Sequence, residues 1–164
     1  MIALKDILVA TDFGEPADAA LTYGRELART YGATLHVVHI VDDVYLRLGG
    51  DAYVAVLPEL QRDTELAAQA RLDALLVDND PDPLPVKKVT LTSAAPASAI
   101  VDYAKSAGID LIVLGTHGRR AVAHLLMGSV AERVVRTAPC PVLTVRHPEH
   151  EFVRPDALAA VAGA

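Results

Sequence analysis

Residues 111–129 read LIVLGTHGRRAVAHLLMGS: an apolar run that stops at Gly115, then a glycine-punctuated stretch that gives way to a helical pattern at Gly128-Ser129. The run LIVL is short, partly β-branched and closed by a turn residue, which predicts a strand. After Ser129, the residues Val130, Val134 and Val135 share one stripe of a helix, and Ser129-Val130-Ala131-Glu132 has the S-x-x-E form of a capping box. The unit is therefore strand, glycine-rich connection, helix, and the rest of the chain repeats its first and last parts.

Three further apolar runs, Ile7–Ala10, Leu35–Val41 and Val142–Val145, read as strands, and a weaker one covers Val86–Leu91. Helical stripes lie between them. Ala17, Ala20, Leu21, Gly24, Leu27, Ala28 and Tyr31 form the first, with Pro16 in its opening turn. Leu57, Leu60, Thr64, Ala68, Leu72 and Leu75 form the second, and Ile100, Val101 and Ala104 behind Pro96 the third. Strand and helix alternate five times, with the last helix missing. That order predicts an α/β domain built on a parallel sheet with right-handed crossovers. Residues 43–56, with Gly49-Gly50 and no clear period, read as a long connection: either a surface excursion or a flap over a ligand or partner, with Tyr45 and Tyr53 as its aromatic residues. The domain runs over residues 1–147, and 148–164 form a frayed or loosely docked tail.

Composition limits the partners. The chain has 164 residues, enough for one domain with a real core, and with 52% hydrophobic but only 4% aromatic residues that core has to be aliphatic. A net charge of −6 argues against a duplex nucleic-acid partner, because phosphate contacts need clustered Lys and Arg. The single cysteine, Cys140, sits between two prolines, forms no internal disulfide and reads as a small apolar residue. The opening MIALKDILVA is too brief an apolar stretch for a signal core or a membrane span, so a cytoplasmic protein without membrane contact is expected.

Glycines around a strand–helix junction let another group approach the backbone, and the free N–H groups of a helix start favour anions, phosphate above all. Ser129 as a helix cap and Ser129 as a phosphate ligand are compatible roles. Two phosphate motifs are absent. No lysine follows Gly118 or Gly128 as a Walker A loop requires, and ATDFGEP stands after the first strand where a dinucleotide fingerprint would lie. The pattern present is Gly115-x2-Gly118-x9-Gly128-Ser129.

With that motif the chain resembles the universal stress protein family, specifically its ATP-binding branch, over about Lys5 to Arg146. ILVATDF, SAAPASAIVDYAKSAGIDLIVLGTHG and TAPCPVLTVR carry the likeness. The resemblance implies a Rossmann-like fold of the adenine nucleotide alpha hydrolase type: an open five-stranded parallel sheet in the order 3-2-1-4-5, with helices on both faces. In that order the first and fourth strands lie side by side, and the crevice at their carboxyl ends is where open α/β sheets bind ligands. Asp12 and Gly115 both end there.

The resemblance further implies that Ala10, Thr11 and Asp12 lie near adenosine and that Val41 offers its backbone to the adenine edge. Gly115, Gly118, Gly128 and Ser129 would cradle phosphates with the N–H groups of Val130 and Ala131, while His117 and Arg119 or Arg120 reach the phosphate tail. The expected ligand is ATP, with any Mg²⁺ carried by its phosphates. No catalytic residue and no protein-ligated metal are expected: His36 and His39 occupy opposite faces of one strand, and His124, His147 and His150 form no ligand spacing. The reading is a regulatory, stress-response nucleotide-binding homodimer, paired through Val142, Leu143, Thr144 and Val145 on the last strand, with an unidentified regulatory protein as a further partner. A slow ATP hydrolase or transferase, and an interaction module independent of nucleotide, are the alternatives.

Overall fold

A computed structural model describes residues 2–48, 56–76, 83–116 and 127–146. The expected strands all form: β1 (Asp6–Thr11), β2 (Thr34–Val41), β3 (Val86–Thr92), β4 (Leu111–Gly115) and β5 (Val142–Val145). The helices are α1 (Glu15–Tyr31), α2 (Val44–Leu48), α3 (Leu57–Leu75), α4 (Pro96–Ala107) and α5 (Ser129–Thr137). The sheet is parallel throughout, in the order β3-β2-β1-β4-β5.

Strand alternation divides the core into two layers. Ile7, Val9, Leu35, Val37 and Val113 face Ala20 and Leu21 of α1 and Leu72 of α3. Leu8, Val38, Ile112 and Leu114 face Ile100, Val101 and Ala104 of α4 and Val134 of α5. Each Val, Leu or Ile among them contributes roughly 1.5–3 kcal/mol on burial, so the sheet centre, apolar on both faces, anchors the domain. Both α1 and α4 end on a left-handed glycine, Gly32 and Gly108, whose N–H bonds back into the last turn.

The helix stripes need two adjustments. Tyr31 is 39% exposed and Tyr23 is buried in its place, because Tyr31 lies in the last turn of α1, just ahead of the Gly32 cap. Leu60 is 41% exposed and the polar Gln61 is buried, since the Gln61 Oε1 accepts the N–H of Val44 at 2.9 Å. That bond belongs to a feature absent from the sequence reading. Residues 43–56 are not wholly irregular but contain α2, started by Asp43, whose Oδ1 accepts the N–H groups of Tyr45 and Leu46. Gly49, Gly50, Tyr53 and the tail 148–164 lie outside the described residues.

The weak strand β3 is an edge, and α3 is tied along it by polar contacts. Thr92 donates to Glu65 at 2.7 Å, Thr90 to Gln69 at 3.1 Å and Lys88 Nζ to Asp73 at 2.8 Å. Four residues of helix rise about 6 Å and two of strand about 6.6 Å, so the registers match over this ladder. The Thr92 and Gln61 hydrogen bonds hold the Glu65 carboxyl below its ordinary range, and Lys88 does the same for Asp73. At the opposite, amino end of the sheet, the buried His36 donates from Nε2 to Asp6 Oδ1 at 2.9 Å, and its Nδ1 lies 2.8 Å from the Tyr103 hydroxyl. This histidine joins β2 to β1 and α4. No helix among the described residues is long and apolar enough to cross a membrane.

Candidate functional site

The sheet order places β1 and β4 side by side, with Ala10 opposite Leu114 at their carboxyl ends. Their connections then part: β1 leads into α1 on one face of the sheet, and β4 leads toward α5 on the other. In open α/β sheets the ligand crevice lies at the strand ends where successive helices change faces in this way.

The β1 side is rich in acceptors. Thr11 Oγ1 takes the N–H of Phe13 at 3.0 Å, and Asp12 Oδ1 takes the N–H of Gly14 at 3.0 Å. The N–H groups of Phe13 and Gly14 are thus each taken up by the side chain two residues earlier and are not presented to an anion. Negative charge gathers on the same side. The Asp18 carboxyl is pushed up by burial and then by the charges of Asp12 and Glu15, against an opposing pull from Arg71.

Phe13 holds a left-handed backbone, φ 62°, in a non-glycine residue. Its ring centroid lies 4.4 Å from that of His39, and the Arg71 guanidinium carbon sits 4.2 Å above its face. Positive φ costs a phenylalanine about 1–2 kcal/mol. Each ring contact returns roughly 0.5–1 kcal/mol, so the clamp is of the right size to hold the turn. His39 is itself fixed, for its Nδ1 lies 2.8 Å from the Thr11 carbonyl and so carries the hydrogen. Nothing in the spacing of His39 or Arg71 in the sequence marks them as neighbours of this turn.

The α5 side is different in character. Gly128 is the N-cap: its carbonyl accepts the N–H of Glu132 at 2.9 Å, and its backbone is extended at φ −68°, ψ 150°. The capping box expected of Ser129 is not formed. Ser129 is the first helical residue, one position too late, and Glu132 pairs instead with Arg136 at 2.9 Å. The amide of Gly128 donates to the Thr116 carbonyl at 2.6 Å, and Thr116 N–H donates to Val145 on β5. The end of β4 is therefore bonded directly to the start of α5. The first intrahelical acceptor partner belongs to Glu132, which leaves the amides of Ser129, Val130 and Ala131 at the positive end of the helix dipole.

Two expected roles change. Gly115 does permit a close approach, but to protein: a Cβ there would lie 2.7 Å from the carbonyl oxygen of Pro16, so its bare backbone seats the start of α1 on β4. Val41 turns its backbone the wrong way for a ligand in the crevice. Its carbonyl accepts Ser93 N–H at 2.9 Å, and along β2 odd residues bond toward β3, as Leu35 does to Pro85, while even ones bond toward β1, as Thr34 does to Lys5. Ile40, not Val41, is therefore the residue near the end of β2 whose backbone is directed toward β1. Ala10, Thr11, Asp12, Gly115, Gly128, Ser129, Val130 and Ala131 converge on this end of the sheet. His117, Gly118, Arg119 and Arg120 lie outside the described residues. Among the described residues no group of three or more His, Cys, Asp or Glu is arranged to hold a metal. Burial, reinforced by the Asp110 charge, pushes the Cys140 thiol up.

Comparison with known proteins gives a consistent result. The model of the universal stress protein family matches residues 3–146. A universal stress protein of Thermus aquaticus is 37% identical over 142 residues, 87% of this chain and 98% of that protein. The structure of universal stress protein UspA from Lactobacillus plantarum is 30% identical with a TM-score of 0.72, covering 89% of this chain and all (100%) of that one. A universal stress protein solved in complex with cAMP has the same fold at 22% identity, TM-score 0.57, with 88% and 98% covered.

Proposed function

Because the chain belongs to the universal stress protein family, we propose that it is a nucleotide-binding regulatory protein that takes ATP in the β1–β4 crevice. The observation that carries this reading is the chemical division of the crevice. The β1 side presents acceptors and negative charge, which suit ribose hydroxyls and the amino group of adenine and repel phosphate. The α5 side presents helix amides behind a residue without a Cβ, which suit phosphate oxygens. A nucleoside phosphate has this polarity along its length. Asp12 then accepts from the ribose, the carbonyl of Ile40 accepts from adenine, and Ser129, Val130 and Ala131 take the phosphates. His117, Gly118 and Arg119 in the G-x2-G-x9-G-[ST] motif complete the cradle, and any Mg²⁺ rides on the phosphates. The similar fold solved with cAMP supports an adenine nucleotide as the class.

The role is regulatory rather than catalytic. The protein works in the cytoplasm as a homodimer joined along β5, and its nucleotide state governs docking of a partner protein. Residues 1–147 form the working domain and 148–164 an appended tail.

Calorimetry with ATP and adenosine on three proteins tests the assignment. Asp12→Ala weakens both ligands alike. Gly128→Val puts a branched side chain before the α5 amides and weakens ATP about tenfold, or 1.4 kcal/mol, while adenosine binding persists. Equal ATP affinity in Gly128→Val and the parent removes the phosphate cradle from α5. Nucleotide turnover measured alongside separates binding from hydrolysis.

A further inference from the structure

We propose that Phe13 is a positioning residue for the nucleoside, acting through Asp12 and held by Arg71. The inference rests on the nucleotide reading above. A glycine at this place would adopt φ 62° without strain, yet the chain keeps a phenylalanine there. What the ring adds is a pair of contacts: the His39 ring, tilted by 40°, at 4.4 Å between centroids, and the Arg71 guanidinium carbon at 4.2 Å over its face. The His39 ring is in turn tied to the Thr11 carbonyl at 2.8 Å. These contacts close a circuit from β1 through β2 to α3 and back to the residue that follows Asp12.

The circuit controls the Asp12 carboxylate by a short path. With Phe13 left-handed, the amide of Gly14 meets Asp12 Oδ1 and the amide of Phe13 meets Thr11 Oγ1, both at 3.0 Å. The Gly14 bond holds one carboxylate oxygen in the turn and so helps fix the orientation of the whole group. If residue 13 leaves the left-handed region, both bonds break and the carboxylate loses this tether. Arg71 lies on α3, far from this turn in sequence, and it also bears on Asp18, whose carboxyl it pulls down against the Asp12 and Glu15 charges. It therefore couples α3 to the nucleoside end of the crevice without needing to touch a ligand.

Four variants of the full chain decide the matter: Phe13→Val, which removes the ring and disfavours left-handed backbone, Phe13→Tyr, which keeps the ring, Arg71→Met, which keeps the stem without the cation, and Asp12→Ala as the reference. Adenosine and ATP affinities are read by calorimetry, and thermal midpoints are recorded for each. The expected result is a fivefold or greater loss of both ligands in Phe13→Val, a smaller loss in Arg71→Met, and parental binding in Phe13→Tyr. The ratio of ATP to adenosine affinity stays constant, because the phosphate end is untouched. A residue with only a structural role would lower the midpoint of Phe13→Val without changing the affinity of the folded protein. Phe13→Val binding adenosine as tightly as the parent overturns the positioning role while leaving the nucleotide site in place. A parent that binds neither ligand overturns the nucleotide reading, and this inference with it.

Discussion

A Cβ built on Gly115 would stand 2.7–2.9 Å from the carbonyl group and Cβ of Pro16, and backbone cannot yield as a side-chain tip can. Gly115→Ala must therefore push α1 away from β4, at a cost of about 1–3 kcal/mol, seen as a lowered thermal midpoint. An unchanged midpoint would mean that α1 slides freely on the sheet. Asp18 gives a second single-residue test. Its folded carboxyl is raised by burial and by Asp12 and Glu15, so the folded state holds that proton more tightly than the unfolded chain does. Stability from this group accordingly falls as pH rises from the ordinary Asp range, about 3.9, through the raised value. Asp18→Asn is expected to be more stable than the parent at pH 7, and the difference should vanish below about pH 3.9. Denaturant midpoints of both proteins across that range check the sign.

Between elements, the α3–β3 ladder behaves in the opposite sense. Glu65 and Asp73 have folded carboxyls below their ordinary values, through Thr92 and Lys88. Their contribution is present above the unfolded values and is lost as pH falls through the folded ones. Acid should loosen α3 from β3 before it disturbs β1 and β4. Amide exchange in α3 then rises at low pH ahead of exchange in the central strands, and Lys88→Met brings part of that rise to neutral pH. Uniform exchange across the sheet would contradict this. The start of α5 carries a smaller prediction. Ser129 follows the cap rather than forming it, so Ser129→Ala should cost only a few tenths of a kcal/mol, not the ~1 kcal/mol of a lost N-cap. A loss of a full kcal/mol would return the capping role to Ser129.

At the scale of the whole molecule the two sheet edges are not equivalent. The β3 edge carries Lys87 and Lys88, and charged side chains on an edge strand block strand pairing. The β5 edge reads Val-Leu-Thr-Val with no charge of its own. This asymmetry favours pairing through β5, about a two-fold axis. Val142→Glu or Leu143→Glu should convert a dimer to a monomer in light scattering, while Lys87→Glu leaves the mass unchanged. A parent that is monomeric at micromolar concentration removes the β5 interface.

Strand and helix periodicity was enough to place the five strands within a residue or so and to give the parallel alternation, because apolar runs such as LIVL at 111–114 are short, partly β-branched and closed by turn residues, which suits a buried strand better than a helix. The resemblance on the glycine motif gave the strand order, and with it the crevice. Residue roles within the crevice needed the folded chain. Whether Gly115 meets a ligand or Pro16 depends on how closely α1 packs on β4. Whether Val41 or Ile40 turns toward β1 depends on the hydrogen-bond parity of β2, which is the same for either side chain. The short helix α2 had no apolar period long enough to reveal it and is held by Asp43 and by Gln61 from α3. The Phe13 clamp joins residues from β1, β2 and α3 that approach only when the sheet closes between two helices. Local sequence determined what each segment became, since periodicity acts over a few residues; tertiary structure alone decided which backbone groups the segments turned toward one another, since that is set by packing distances and strand parity.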